Sequence, residues 1–200
     1  GEMIKKYFVE RAAYGSNLTV DFRSGRVEST ENNLPNWRVD LIDTGLNTLT
    51  GGRIKRLKPF IEDETFMLTW GDGVANIDIA ALVDFHRSHG KIATVTAVHP
   101  PARYGSLDLE NNKVMAFAEK PQLQESWING AFFVLEPEIF DYIEGDATQW
   151  EKEPLERLAR EEQLMAYKHT SFWQCMDTLR EKYILETLWD SGEAPWKMWN

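Results

Sequence analysis

Thr65-Phe66-Met67-Leu68-Thr69-Trp70-Gly71-Asp72-Gly73-Val74 is a short apolar run that stops at a carboxylate set between two glycines. The run is too short and too rich in β-formers for a buried helix, so it reads as a core strand, central to its sheet. Glycine lets the backbone turn sharply and come close to a ligand. In open α/β sheets, ligands collect beyond the carboxyl ends of the strands, and Asp72 falls at that place. A lone acid there could equally cap a loop, so the flanking segments must decide between the two.

Downstream, Asp78 is placed to cap a helix with Ile79, Leu82, Val83 and His86 on its inner face, closed by Gly90. His86 and His89 stand three apart without a carboxylate or cysteine, and read as ordinary helix-surface residues; His99 and His169 stand alone. Ile92–Val98 is a further strand, ended by Pro100-Pro101, which completes a βαβ unit. Leu107, Leu109 and Val114–Ala118 flank Asn111-Asn112-Lys113, the pattern of a hairpin leading to Glu119-Lys120-Pro121. Ile128–Leu135 is an apolar strand interrupted by Asn129-Gly130, and glycine inside a strand predicts a bulge or a close backbone approach. Thr148 to Glu151 matches a capping box, Pro154 suits a first helical turn, and that helix is expected to reach Gln163. Leu164–Tyr167 reads as a strand, and Asp177 as the cap of a last helix carrying Leu179, Tyr183, Leu185 and Leu188. The aromatic tail around Trp196 and Trp199 is expected to dock on the domain or on another subunit.

Upstream, Ile54, Leu57 and Ile61 predict a helix beginning near Gly52, fed by Thr48, Thr50 and Gly51. A glycine-rich turn before a helix is an anion site when its free N–H groups point outward. Arg53 is the ligand candidate there, while Lys55, Arg56 and Lys58 read as a solvated basic face. Trp37–Asp43 is a strand candidate, Arg23–Asn36 reads as a long polar loop or arm, and Leu18–Phe22 alternates like a strand. Gly1–Val9 reads as an amphipathic helix already under way, with Ile4, Tyr7 and Phe8 on one face. An α/β domain usually opens with a strand, so an N-terminal portion is expected to precede Gly1.

Two hundred residues with 42% hydrophobic content can bury a real core, and we expect a single domain over 1–200. A net charge of −10 argues against nucleic acid or an anionic membrane as partner. Cys175 is the sole cysteine, so no internal disulfide forms, which fits a reducing, cytoplasmic setting. No apolar run approaches the roughly 20 residues that span a bilayer.

The sequence lacks a G-x-S-x-G elbow, zinc-ligand spacing, a Walker A loop and G-x-G-x-x-G. What remains is Asp72, Asp177 and a glycine-rich basic turn. Two Asp side chains from separate elements suit Mg²⁺, which keeps other positions for water and phosphate oxygens. Phosphoryl and nucleotidyl transfer need positioning and charge neutralisation rather than covalent work.

Together, Arg103-Tyr104-Gly105, Glu119-Lys120-Pro121 and Ile128–Phe133 resemble the sugar-binding half of the sugar-1-phosphate nucleotidyltransferases. Thr50-Gly51-Gly52-Arg53, Gly71–Val74 and Phe172–Thr178 resemble the glucose-1-phosphate cytidylyltransferase branch. The resemblance spans residues 1–200. It implies a Rossmann-like α/β three-layer sandwich with a mostly parallel mixed sheet and a small β-hairpin sugar-binding portion. The implied reaction converts CTP and α-D-glucose 1-phosphate to CDP-glucose and pyrophosphate, with Mg²⁺. By motif, Asp72 and Asp177 would hold the metal; Thr48, Arg53 and Gly71 would contact the nucleotide; Glu119, Lys120 and Asn129 would hold the sugar phosphate. Catalytic roles then fall to Asp72, Asp177 and Arg53. The family's glycine-rich G-G-x-G-T-R loop and its P-K-P-M segment do not occur among these residues. The resemblance further implies a homo-oligomer, and a product that feeds dideoxy sugars of the lipopolysaccharide O-antigen kind. A sister enzyme using UTP or dTTP, and a non-catalytic sugar-nucleotide-binding subunit, remain open alternatives.

Overall fold

Residues 1–31, 35–61, 63–100, 106–118 and 126–199 are described by the computed structural model. Backbone contacts gather the chain into two units, Gly1–Leu46 and Asn47–Asn200. In the first unit, helix α1 (Glu2–Tyr14) precedes strands β1 (Asn17–Asp21) and β2 (Arg26–Glu31). The strands form an antiparallel hairpin with Val20 opposite Val27. None of the residues of α1 is buried, and Ile4, Tyr7, Phe22 and Trp37 are all exposed.

The second unit begins with α2 (Thr50–Arg56) and a 3-10 turn at Lys58–Phe60, then β3 (Phe66–Thr69) and β4 (Gly73–Ala75). Helix α3 (Ile79–His89), β5 (Ala93–Val98), β6 (Ser106–Glu110), β7 (Lys113–Ala118) and β8 (Ile128–Leu135) follow. After a 3-10 stretch at Pro137–Tyr142 come α4 (Glu153–Arg160), β9 (Leu164–His169), β10 (Trp173–Cys175) and α5 (Leu179–Asp190). The main sheet has the order β3-β8-β5-β9. Strand β8 runs antiparallel to both β3 and β5, and β5 is parallel to β9, so three of these four strands share one direction. Two antiparallel pairs, β6–β7 and β4–β10, complete the unit.

The alternation of β8 builds two cores. Phe133 and Leu135 face one side, with Ile54 of α2, Trp150, and Leu158 of α4. Phe132 and Val134 face the other, with Leu82 of α3, Ile77 and Tyr167. Side-chain period two in a strand buried on both faces produces this three-layer arrangement. Burying a side chain such as Phe133, fully enclosed here, stabilises by about 1.5–3 kcal/mol. An edge-to-face stack of Trp70 on Phe133 and Phe133 on Trp150 runs through the first core, with ring centres 5.7 and 5.6 Å apart.

Local signals hold where the chemistry is local. Asp78 caps α3, its Oδ1 accepting from the Ala81 N–H at 3.0 Å, and Gly90 closes it at φ +61°. The β6–β7 hairpin turns at Asn111, φ +53°. Other expectations are corrected. Residues 26–31 of the supposed arm form β2, because pairing with β1 needs no apolar face. Trp37–Asp43 carries no strand pairing among the described residues. Strand β3 lies at the edge of the described sheet rather than at its centre, with Met67 42% exposed. Helix α2 starts at Thr50. Helix α4 ends at Arg160, with Glu162 at φ +55°, and no side chain caps it; Thr148 Oγ1 accepts from Gly145 N–H instead. Lys55 and Arg56 are not simply solvated: the Lys55 ammonium donates to the carbonyls of Ile143 and Glu144, and Arg56 pairs with Asp146. In the tail, Trp196 stacks on Phe172 at 5.6 Å, within the second unit, while Trp199 stays exposed.

Candidate active site

Strands β3, β5 and β9 end at the same edge at which β8 begins: Val98 lies opposite both Ile128 and His169. Beyond that edge, the chain after β3 turns at Gly71-Asp72 into β4, and the chain after β9 runs into β10. The two short strands pair antiparallel, with Gly73 opposite Cys175 and Ala75 opposite Trp173. The ladder continues one step further, where the Met176 N–H donates to the Asp72 carbonyl at 2.7 Å. Asp72 and Asp177 therefore sit at the same end of one ladder, and both are exposed.

Asp177 does not cap α5. Thr178 does, in a capping box with Glu181: the Thr178 hydroxyl accepts from the Glu181 N–H, and Glu181 Oε2 accepts from the N–H groups of Asp177 and Thr178 at 2.9 Å. The Cys175 sulfur and the carboxylate oxygens of Asp177 and Glu181 lie within 4.8 Å of one another. A thiol is a soft ligand that Mg²⁺ does not seek, and Glu181 is buried and engaged by two backbone donors. Asp177 is the exposed, hard oxygen donor of the three. Across the ladder from it stands Asp72, also exposed, and carboxylate oxygens are the donor type that Mg²⁺ takes alongside water and phosphate.

Asn129 lies at the same edge, at the start of β8. Between the pairs Val95–Phe133 and Ala97–Asn129, one residue of β5 faces three of β8, so the Asn-Gly signal marks a bulge as predicted. A Cβ on Gly130 would stand 2.9 Å from the Thr96 carbonyl oxygen and 2.8 Å from Val98 Cγ1. Asn129 Oδ1 accepts from the Ala131 N–H at 2.8 Å, and Ala131 adopts φ +65°. The Trp173 indole donates to the Gly130 carbonyl at 2.8 Å, tying β10 to the bulge. Sequence reasoning missed Trp173, since its partner lies 43 positions away. Glu119 and Lys120 lie outside the described residues.

Thr48 is buried, and the α2 turn is bolted to residues 143–151. The N–H groups of Gly51 and Gly52 both donate to the Thr148 carbonyl, and that of Leu49 to Asp146. Trp150 N–H donates to Thr50 Oγ1, which in turn donates to Glu151. A Cβ on Gly52 would stand 2.5 Å from Asp146 Cα. The expected cradle of free amides is thus corrected: these donors are engaged, and the glycines admit a close backbone contact. The hydrogen-bonded Arg56 guanidinium holds the Asp146 carboxyl below its ordinary range.

A mostly parallel sheet with two acids gathered beyond its carboxyl edge is the layout of an α/β enzyme that works on a ligand there. Residues 39–179 match the nucleotidyl transferase family, and the chain belongs to that family. More narrowly, it is 48% identical over 200 residues to the glucose-1-phosphate cytidylyltransferase of Salmonella typhi, covering 100% of this chain and 78% of that one. It is 30% identical over 151 residues to the UTP–glucose-1-phosphate uridylyltransferase of a Synechocystis species, covering 71% of this chain and 36% of that one. The fold matches a crystal structure of HddC from Yersinia pseudotuberculosis with a TM-score of 0.55 and 23% identity, over 76% of this chain and 68% of the other.

Proposed function

We propose that this protein transfers a cytidylyl group from CTP to α-D-glucose 1-phosphate, giving CDP-glucose and pyrophosphate. The observation that carries the reading is the Met176-to-Asp72 backbone bond, which brings two acids from separate elements to one end of a ladder. Asp72 and Asp177 hold Mg²⁺, which when bound neutralises phosphate charge. Arg53, Thr48 and Gly71 contact the nucleotide; Asn129, Glu119 and Lys120 hold the sugar phosphate. A carboxylate accepts from sugar hydroxyls and an ammonium suits phosphate. A sugar-phosphate oxygen attacks the α-phosphorus in line, the bond to the β-phosphate breaks, and pyrophosphate leaves. The family match runs from residue 39 to 179, across the boundary between the units, which supports one nucleotidyltransferase domain.

Several finer points belong to the same reading. The exposed Tyr7, Phe22 and Trp37 support a homo-oligomer. No helix among the described residues is long and apolar enough to cross a membrane. A cytoplasmic setting and a product feeding lipopolysaccharide O-antigen sugars are part of the same proposal. The test is pyrophosphate release by the whole gene product with glucose 1-phosphate, Mg²⁺ and each of CTP, UTP, dTTP and ATP. CTP is expected to be preferred; equal use of all four would remove the cytidylyl assignment, and preference for UTP or dTTP would move the protein to a sister activity.

A further inference from the structure

The Asn129–Ala131 bulge is strained and poorly held from within β8. Ala131 carries a left-handed φ of +65°, where a side chain is disfavoured. Gly130 is pressed against the Thr96 carbonyl with no room for a Cβ. Thr96, which adjoins it on β5, does not stitch the bulge by its side chain: its buried Oγ1 makes no hydrogen bond among the described residues. Two side-chain bonds do hold the shape. One is internal, from the Ala131 N–H to Asn129 Oδ1. The other comes from outside the strand, from the Trp173 indole N–H to the Gly130 carbonyl at 2.8 Å.

Trp173 opens β10, the strand whose far end leads through Cys175 and Met176 to Asp177. β10 is only three residues long and pairs with β4, outside the main sheet. The indole thus links, by one hydrogen bond, two parts that the chain separates by 48 positions: the bulge that bears Asn129 and the strand that leads to Asp177.

We propose that Trp173 is a positioning residue that sets the sugar-phosphate-binding bulge against the acid-bearing ladder. The inference rests on the reading of Asn129 as a sugar-phosphate ligand and of Asp177 as a metal ligand. Of the proposed nucleotide contacts, Arg53 on α2 and Thr48 just before it belong to a segment bolted separately to residues 143–151, so these two are expected to be insensitive to this bond.

Trp173→Phe keeps an aromatic ring and removes the donor. Losing one part-buried hydrogen bond to the bulge should raise the KM for glucose 1-phosphate about three- to tenfold, with the KM for CTP within about twofold. Replacing Trp173 by benzothienylalanine, which keeps the shape of indole but has sulfur in place of N–H, should reproduce that split with an unchanged unfolding midpoint. Equal rises in both KM values, or no rise in the isostere, would overturn the proposal. Asn129→Ala separates the two levels of the argument. A normal KM for glucose 1-phosphate in Asn129→Ala would remove the underlying sugar-phosphate reading. A raised KM there, with the isostere unaffected, would remove only the role of Trp173.

Discussion

At the edge where β3 and β5 begin, donors and acceptors are matched in series; at the edge where they end, the backbone is strained and carboxylates are exposed. The first edge starts from the Lys91 N–H, which donates to His89 Nδ1 at 3.0 Å and so leaves the proton of neutral His89 on Nε2. His89 Nε2 donates to Thr94 Oγ1 at 2.7 Å, the Thr94 hydroxyl donates to His86 Nδ1 at 2.8 Å, and His86 Nε2 donates to Glu136 at 3.0 Å. Thr65 donates to the same carboxylate at 2.9 Å. The second edge holds Asp72, Asp177 and the bulge with Ala131 at φ +65°. A matched network stands at one edge and the proposed chemistry at the other, as expected when a strained site is held by a scaffold that does not share its strain.

The largest expected effect tests the chemical edge. Asp72→Asn keeps the size of the side chain and the backbone bond to Met176, but removes the charge of the proposed oxygen ligand. Activity should fall about 10³-fold or more, since a ligated metal supplies several kcal/mol. The unfolding midpoint should move by less than about 3 °C, because Asp72 is exposed. Near-normal pyrophosphate release in this variant would show that the two edges do not differ in the way described.

The complementary change is His86→Ala. It empties a buried site and leaves Glu136 and Thr94 each short of a partner. The expected loss is about 2–4 kcal/mol of stability, or roughly 5–15 °C in the midpoint for a chain of this size. At a temperature where the variant is folded, the KM values for both substrates should stay within about twofold of normal. Calorimetry that finds no loss would mean the network is ornamental to the fold.

His86 also shows what the sequence could not display. Its place on the inner face of α3 is legible from the periodicity, whereas its spacing from His89 reads as helix surface, and nothing local announces that Glu136, fifty positions on, meets it. The Asn129-Gly130 bulge was legible because a steric demand on one residue leaves a trace at that residue. The caps of α3 were legible for the same reason. The β1–β2 hairpin was not: Arg26–Glu31 has a single Val and no apolar face to betray a period. At the site, Asp72 and Asp177 stood out by motif, yet the device that joins them is a three-residue ladder, Gly73–Ala75 with Trp173–Cys175, too short to carry a pattern. The cap of α5 is Thr178, one position beyond the expected Asp177, although Thr178 and Glu181 have the spacing of a capping box.

The smallest expected effect sharpens the comparison through pH. Burial, and then the electrostatic influence of the neighbouring His86 and Lys91 side chains, hold the His89 imidazole below its ordinary value of 6.5. In the folded protein His89 thus resists a proton that the unfolded chain accepts. Protonation at Nδ1 would also set two donors face to face, since the Lys91 N–H already points there. The stabilising contribution is fully present above 6.5 and is lost as pH falls from there toward the depressed folded value. Unfolding midpoints measured from about pH 7.5 to pH 5 should therefore decline on acidification, through the range in which histidine titrates. His89→Asn, which keeps an acceptor near the Lys91 N–H and cannot titrate, should shrink that decline. An equal decline in the variant would place the acid sensitivity elsewhere in the chain and leave the first edge indifferent to pH.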